Sequence, residues 1–178
     1  MRVVWLVAIC RKFASGELVV EKEVSLRSLI ALRGKPNMGK SQTVRTVVEL
    51  LTTKHPDARI EHDQTTKVDE RVVLTINDSK IGIESESDPS GRSIKESLDL
   101  FEKLGCQVII CATRPSGASV EAVNALRGFN IEWLEQREKS QPHEQVLRSL
   151  ATARNIVEKV EALVGSTEPP ARSRSATA

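Results

Sequence analysis

The run Gly34-Lys35-Pro36-Asn37-Met38-Gly39-Lys40-Ser41 has the residue types and spacing of a phosphate-binding loop, G-x-x-x-x-G-K-[ST]. The chemistry needs that spacing. The two glycines permit backbone conformations that turn N–H groups inward around an anion. The Lys40 ammonium can reach the β- and γ-phosphates of a nucleotide, and the Ser41 hydroxyl can ligate Mg²⁺. Gln42 is the last residue of the set expected to hold the phosphates.

Such a loop must lie between a strand and a helix. Before it, Leu29-Ile30-Ala31-Leu32-Arg33 is a short apolar strand. After it, Gln42 to Leu51 carries Val44, Val47, Val48 and Leu51 at helical spacing. The phosphates then sit at a helix N-terminus, where the dipole and free N–H groups favour anions.

The second half of the site needs an acid to organise a metal and a group to place the nucleophile. Glu84, Glu86 and Asp88 cluster after a hairpin, in which Val72–Ile76 and Ile81–Ser85 are joined through Asn77-Asp78-Ser79-Lys80. With the turn at the far end of the sheet, the return strand climbs toward the phosphate loop at about 3.3 Å per residue. Glu84 then lies partway up and Asp88 near the top. Asp88 is the expected Mg²⁺ acid, acting through a water molecule, with Glu86 second. The competing reading of Glu84 and Glu86 is an exposed acidic edge. Thr113-Arg114 stands where the apolar strand Val108–Ala112 emerges beside the phosphate loop. Arg114 can stabilise charge on the γ-phosphate; its competing role is a salt bridge or a strand-end cap. The expected catalytic residues are Lys40, Asp88 and Arg114, and the expected metal residues Ser41, Asp88 and Glu86. Lys35 adds attraction for phosphate. His55, His62 and His143 lie in polar stretches and are assigned no metal.

The remaining chain must position these groups. Thr52 to Glu70 is polar, contains Pro56 and reads as a loop on the active-site side. Ser93 to Leu104 is an amphipathic helix through Ile94, Leu98, Phe101 and Leu104, closed by Gly105. The continuous apolar run Val108–Ala112 is that of a central parallel strand. Val120 to Leu126 reads as a short helix and Phe129 to Leu134 as a strand. The last helix, Pro142 to Val164, has Val146, Leu150, Ala153, Val157, Val160 and Val164 at alternating spacings of four and three. That stripe can pack on the domain's own sheet, the preferred reading, or form a homodimer or protein-partner seam. Alternating strands and helices predict an α/β fold of three layers, a mostly parallel sheet with one antiparallel edge hairpin. The ligand is expected beyond the carboxyl ends of the strands.

The expected domain spans residues 26–164. Residues 165–178 are apolar-poor, contain Ser, Pro and Arg, and read as a disordered tail. Residues 1–25 have two readings. One is a β-hairpin of Val3–Phe13 and Glu17–Val24 joined through Ala14-Ser15-Gly16. The other is an extension upstream of the core. The apolar run Val3–Cys10 is too short for a membrane span and is followed at once by Arg11 and Lys12, with no clear cleavage site, so it is not read as a leader.

Composition narrows the class. The 178 residues are 39% hydrophobic and 28% charged, which suits one globular domain of ordinary size. Aromatic residues make up 3%, with no Tyr, which argues against a base-stacking platform for nucleic acid. The net charge of +2 gives no electrostatic footprint for that partner either. Cys10, Cys106 and Cys111 lack metal spacing, and the latter pair reads as buried thiols in a reducing cytoplasm.

Gly34 to Ser41 resembles the first motif of Era-like GTPases within the P-loop NTPase superfamily. Asp88-Pro89-Ser90-Gly91 resembles their D-x-x-G motif, and the hairpin between the two is similar to the GTPase order. The resemblance covers roughly Leu29 to Ala112, and it implies that Thr65 or Thr66 is a switch threonine meeting Mg²⁺. The guanine-reading N-K-x-D is missing: Thr113-Arg114-Pro115-Ser116 and Glu135-Gln136-Arg137-Glu138-Lys139 stand at the strand ends where it would fall. The chain is equally similar to small bacterial P-loop ATPases.

Three functions compete on this reading. The first is Mg²⁺-dependent NTP hydrolysis, with ATP ahead of GTP. The second is a small-molecule or nucleotide kinase, for which Arg92, Arg114 and Arg127 are too scattered to form a lid. The third is a non-catalytic nucleotide-binding interaction module or an atypical GTPase.

Overall fold

A computed structural model describes residues 27–65, 69–86, 89–137 and 141–165. The expected Mg²⁺ acid Asp88, the threonine Thr66, the N-terminal segment and the C-terminal tail lie outside the described residues.

The elements follow in the order β1 (Arg27–Arg33), α1 (Lys40–Lys54), β2 (Arg59–Asp63), β3 (Arg71–Ile76), β4 (Ser79–Glu84), α2 (Arg92–Lys103), β5 (Val108–Thr113), α3 (Ala118–Ala125), β6 (Phe129–Glu135) and α4 (Pro142–Val164). They form one six-stranded sheet in the order β2-β3-β4-β5-β1-β6. The pairs β4–β5, β5–β1 and β1–β6 are parallel, whereas β3 is antiparallel to both β2 and β4. β3 is thus the one strand among these that runs against the others.

Burial follows the sequence patterns. Every residue of β5 is buried, as befits a central strand covered on both faces. One side of the sheet packs Ile30, Leu32, Ile83 and Ile110 against Val44, Val47 and Leu51 of α1 and Ala153, Ile156, Val157 and Val160 of α4. The other packs Leu29, Ala31, Ile109 and Cys111 against Ile94, Leu98 and Phe101 of α2 and Val123 of α3. Helices therefore cover both faces of a mostly parallel sheet, which is a three-layer α/β arrangement.

The polar stretch from Thr52 to Glu70 is not a loop throughout. α1 runs on to Lys54, and Arg59–Asp63 adds a strand to the edge of the sheet. The hairpin β3–β4 is consequently not the edge that the sequence pattern suggests, because β2 lies outside it. β2 escapes that pattern because its residues are charged and its one aliphatic side chain, Ile60, is exposed. It is held by pairing with β3 and by Glu61, which accepts from Thr75 at 2.6 Å and meets Lys80 at 2.7 Å. Polar edges of this kind resist pairing with other chains.

The β3–β4 turn is Asn77-Asp78, with φ of 49° and 63°. Two such residues in the left-handed region give the tight turn whose twist matches an antiparallel hairpin. The α4 stripe turns inward over most of its length. Ala153, Val157, Val160 and Val164 are core, whereas Val146 at the start of the helix is exposed. Cys106 and Cys111 are buried free thiols; burial pushes Cys106 up to about 12 and Cys111 further. No helix among the described residues is long and apolar enough to cross a membrane.

Candidate functional site

The carboxyl ends of β1, β4 and β5 open on the same side of the sheet. Because β3 is reversed, its beginning lies there too. The segment between β1 and α1 crosses this end with Asn37 at φ 62° and Gly39 at φ 78°. Asn tolerates the left-handed region and Gly enters it freely. The loop is clamped from two sides. A Cβ on Gly34 would stand 2.6 Å from the Gln136 carbonyl oxygen, just beyond β6, so only glycine fits that approach. On the α4 side, Gln145 Nε2 donates to the Met38 carbonyl at 2.7 Å, and a Cβ on Gly39 would come within 2.9 Å of Ser149 Oγ.

Lys40 opens α1. Its side chain is 5% exposed, and Nζ donates to the carbonyls of Gly34 and Lys35, both at 2.8 Å. The ammonium is therefore folded back onto its own loop. Burial, and then the Arg114 charge, hold its pKa below the ordinary lysine value. The start of α1 has no side-chain cap and no acidic residue in its first turn, so its positive end is not neutralised by the helix itself.

A cleft of about 570 Å³ opens here, lined by Pro36, Asn37, Gly39, Lys40, Ser41, Gln42, Asp69, Glu86 and Arg114. The structure thus brings most of the phosphate-loop set together with Glu86 and Arg114. Gly34, Lys35 and Met38 do not line the cleft: the first two give their carbonyls to Lys40, and Met38 is buried beneath α4. Thr65 is exposed and does not line it either; its N–H donates to Asp63 at 2.9 Å.

Strand order sets the reach of the acids. β5 lies between β1 and β4, so the acid-bearing strand is two strands, roughly 9.6 Å, from the strand that feeds the Gly34–Ser41 loop. Contact is made by α1 instead, with Ser41 Oγ 3.4 Å from the Ser85 carbonyl. Arg114 follows β5, directly beside the loop, and its N–H donates to Ser119 Oγ at 3.1 Å. The Thr113 carbonyl accepts from the Gly34 N–H at 3.3 Å. Thr113 Oγ1 and Gln136 Oε1, which flank the loop, are buried and have no hydrogen-bond partner among the described residues.

Glu84 is neither a ligand facing the cleft nor an exposed acidic edge. It is 1% exposed and accepts from Arg71 Nε at 2.8 Å, from Ser97 Oγ through a short bond, and from the Glu86 N–H at 2.8 Å. Burial nevertheless raises its carboxyl above the ordinary range, the Ser97 and Arg71 bonds pulling against it. Its visible work is to orient Glu86, whose Oε2 in turn accepts from Ser93 Oγ at 2.5 Å. Gly91 has a structural reason of its own. It starts α2 at φ 67°, and a Cβ there would come within 2.7 Å of the Ala118 backbone.

Asp69 is the cleft residue that the sequence pattern missed. The β3–β4 register pairs Arg71 with Glu84, and two further steps set Asp69 across from Glu86. The extension is real: the Ser85 N–H donates to the Glu70 carbonyl at 2.9 Å, and the Glu70 N–H to Ser85 Oγ at 2.7 Å. Burial, and then the facing Glu86, raise the Asp69 carboxyl above its ordinary value. Continuing the hairpin register beyond its apolar residues is the signal that would have found it.

The arrangement offers a cationic, N–H-rich loop on one side and hydroxyl and carboxylate oxygens on the other. Oxygen donors suit Mg²⁺, which keeps several waters and shares phosphate oxygens rather than needing an all-protein cage. No cluster of three or more His, Cys, Asp or Glu side chains that could hold a metal alone occurs among the described residues. No protein-family model matches the chain, and no curated protein matches it.

Proposed function

We propose that this chain is a P-loop protein that binds a nucleoside triphosphate with Mg²⁺ and hydrolyses it, with ATP as the preferred nucleotide. The observation that carries this reading is the placement of Lys40. It is nearly buried at the uncapped start of α1, bonded to the carbonyls of its own glycine loop, and on the wall of a cleft that also holds Ser41, Glu86 and Arg114. A buried ammonium at an uncapped helix start is suited to an anion. The cleft volume falls within the roughly 300–1,000 Å³ of small-molecule sites.

In this reading the loop N–H groups and Lys40 bind the phosphates. Ser41 and Glu86 hold Mg²⁺, with Asp88 as the further acid. When bound, the metal supplies charge neutralisation on the phosphate oxygens. Arg114 faces the terminal phosphate from the end of β5. The base preference follows from the missing N-K-x-D: without its carboxylate nothing evident rejects adenine. Calorimetric titration with ATP and GTP in Mg²⁺, followed by product analysis, tests the proposal. ATP binding and release of ADP and phosphate are expected. Absence of binding to either nucleotide refutes the reading, and a GTP preference above about a hundredfold, worth about 2.7 kcal/mol, reverses the nucleotide assignment.

A further inference from the structure

We infer that Asp69 is the residue that holds the attacking water for hydrolysis, an assignment that rests on the nucleotide-hydrolysing reading above. The argument is one of placement. β3 is the reversed strand, so the residues just before it arrive at the mouth of the cleft, where the parallel strands deliver theirs. Asp69 lines that cleft with Lys40, Ser41 and Arg114. The segment is held, because one ladder bond from the Ser85 N–H to the Glu70 carbonyl extends the pairing beyond the strand ends, the Glu70 N–H donates to Ser85 Oγ, and Ser85 Oγ approaches Asp69 Oδ1 at 3.5 Å. Arg45 on α1 adds a further tie through Glu70 at 3.0 Å.

The neighbouring acids have other tasks. Glu84 is enclosed by Arg71, Ser97 and the Glu86 N–H. Glu86 follows Ser85, whose carbonyl lies beside the Ser41 hydroxyl, and its side chain is held by Ser93. That puts Glu86 on the metal side of the cleft. Asp69 faces it from the opposite strand, where two like charges set directly opposite one another are unfavourable unless a proton or a cation lies between them. Hydrolysis needs a residue to orient water as well as one to organise the metal.

The step balances as follows. The water oxygen bonds to the γ-phosphorus while the bond from that phosphorus to the β–γ bridging oxygen breaks. The bonding pair leaves with the bridging oxygen, giving ADP. One water proton passes to Asp69 and then to solvent, and inorganic phosphate keeps the other.

The test uses the full chain with saturating Mg-ATP. Asp69→Asn keeps the size of the side chain and its capacity to accept from Ser85. Its kcat is expected to fall by ~10²–10⁴-fold, the usual contribution of such a group, while the Kd for Mg-ADP stays within about threefold. Asp69→Glu should recover at least about tenfold of the lost kcat, which a merely structural residue would not show. Wild-type turnover in folded Asp69→Asn, or a parallel loss of ADP affinity and kcat, overturns the assignment. If Asp69→Asn fails to fold, the glutamate variant decides: an equally inactive, folded Asp69→Glu overturns it, and activity in that variant supports it. A wild-type chain that binds ATP but turns none over overturns the assignment together with the hydrolytic half of the proposed function and leaves nucleotide binding standing. One that binds no nucleotide removes the whole reading, and an active wild type with an equally active Asp69→Asn overturns the assignment alone.

Discussion

Replacing Arg71 with methionine should expose how the acid side of the cleft is held. Arg71 is the one cation bonded to Glu84 among the described contacts, at 2.8 Å, and Glu84 is 1% exposed. Methionine keeps much of the aliphatic stem but leaves a buried carboxylate with only the Ser97 hydroxyl and the Glu86 N–H. Breaking a buried pair from one side costs about 3–5 kcal/mol, a large share of the roughly 5–15 kcal/mol that holds a domain together. For a chain of this size each kcal/mol moves Tm by about 2–4 °C, so Tm should fall by about 6–20 °C at pH 7. The loss should also depend on pH in a definite direction. Burial raises the folded-state pKa of Glu84 above its ordinary 4.5, so its favourable contribution is present below that value and is lost as pH rises through the folded pKa. Without Arg71 the folded pKa rises further, and the gap to wild type should shrink as pH is lowered from 8 toward 5. Urea unfolding followed by far-UV circular dichroism across that range measures the gap. A deficit below about 1 kcal/mol, or one that does not change with pH, would refute the claim that the pair is a buried charge held by its partner.

Two further substitutions probe the Gly34–Ser41 loop. Lys40→Ala removes the ammonium from the wall of the cleft; a charge-assisted bond to a bound phosphate is worth about 1.5–3 kcal/mol, so ATP affinity should fall at least about tenfold in calorimetry while the circular dichroism spectrum of the fold persists; unaltered affinity would sink the central functional claim. Gly34→Ala places a Cβ 2.6 Å from the Gln136 carbonyl oxygen, whose residue is pinned by its N–H donating to the Arg33 carbonyl at 2.7 Å. That overpacking should lower stability by about 1–3 kcal/mol and weaken nucleotide binding, and a variant with wild-type Tm and affinity would show that β6 yields more easily than argued.

The legible parts of the molecule were those where side-chain pattern and burial coincide. β5 reads as a central strand because all six of its residues are apolar or small and all are buried. α2 reads as a helix because Ile94, Leu98 and Phe101 recur at the spacing of its buried face. β2 did not read as a strand because an edge strand draws its stability from backbone pairing with β3 and from Glu61 contacts, neither of which leaves an apolar alternation. The Gly34–Ser41 motif is a local one, and its place between β1 and α1 could be read locally. The acid side depends on the register between strands, so neither the half-buried Arg71 as partner of Glu84 nor the place of Asp69 at the cleft carries a local signal. Gln136, Gln145 and Ser149, which brace the loop, had no local signal at all.

That bracing bears on the order in which the site can be assembled. Gln145 and Met38 are separated by 107 positions, yet their contact fixes the backbone between the two glycines. Strand, turn and helix around the motif are neighbours in sequence and can come together early, since closing a short stretch of chain sacrifices little entropy. The brace is made only when α4 docks against α1. A chain cut after β6 would still spell the whole motif, but its glycine turn would have lost the helix that pins it. The eight letters from Gly34 to Ser41 describe the part of the cradle that is inherited locally; its final shape is a property of the completed fold.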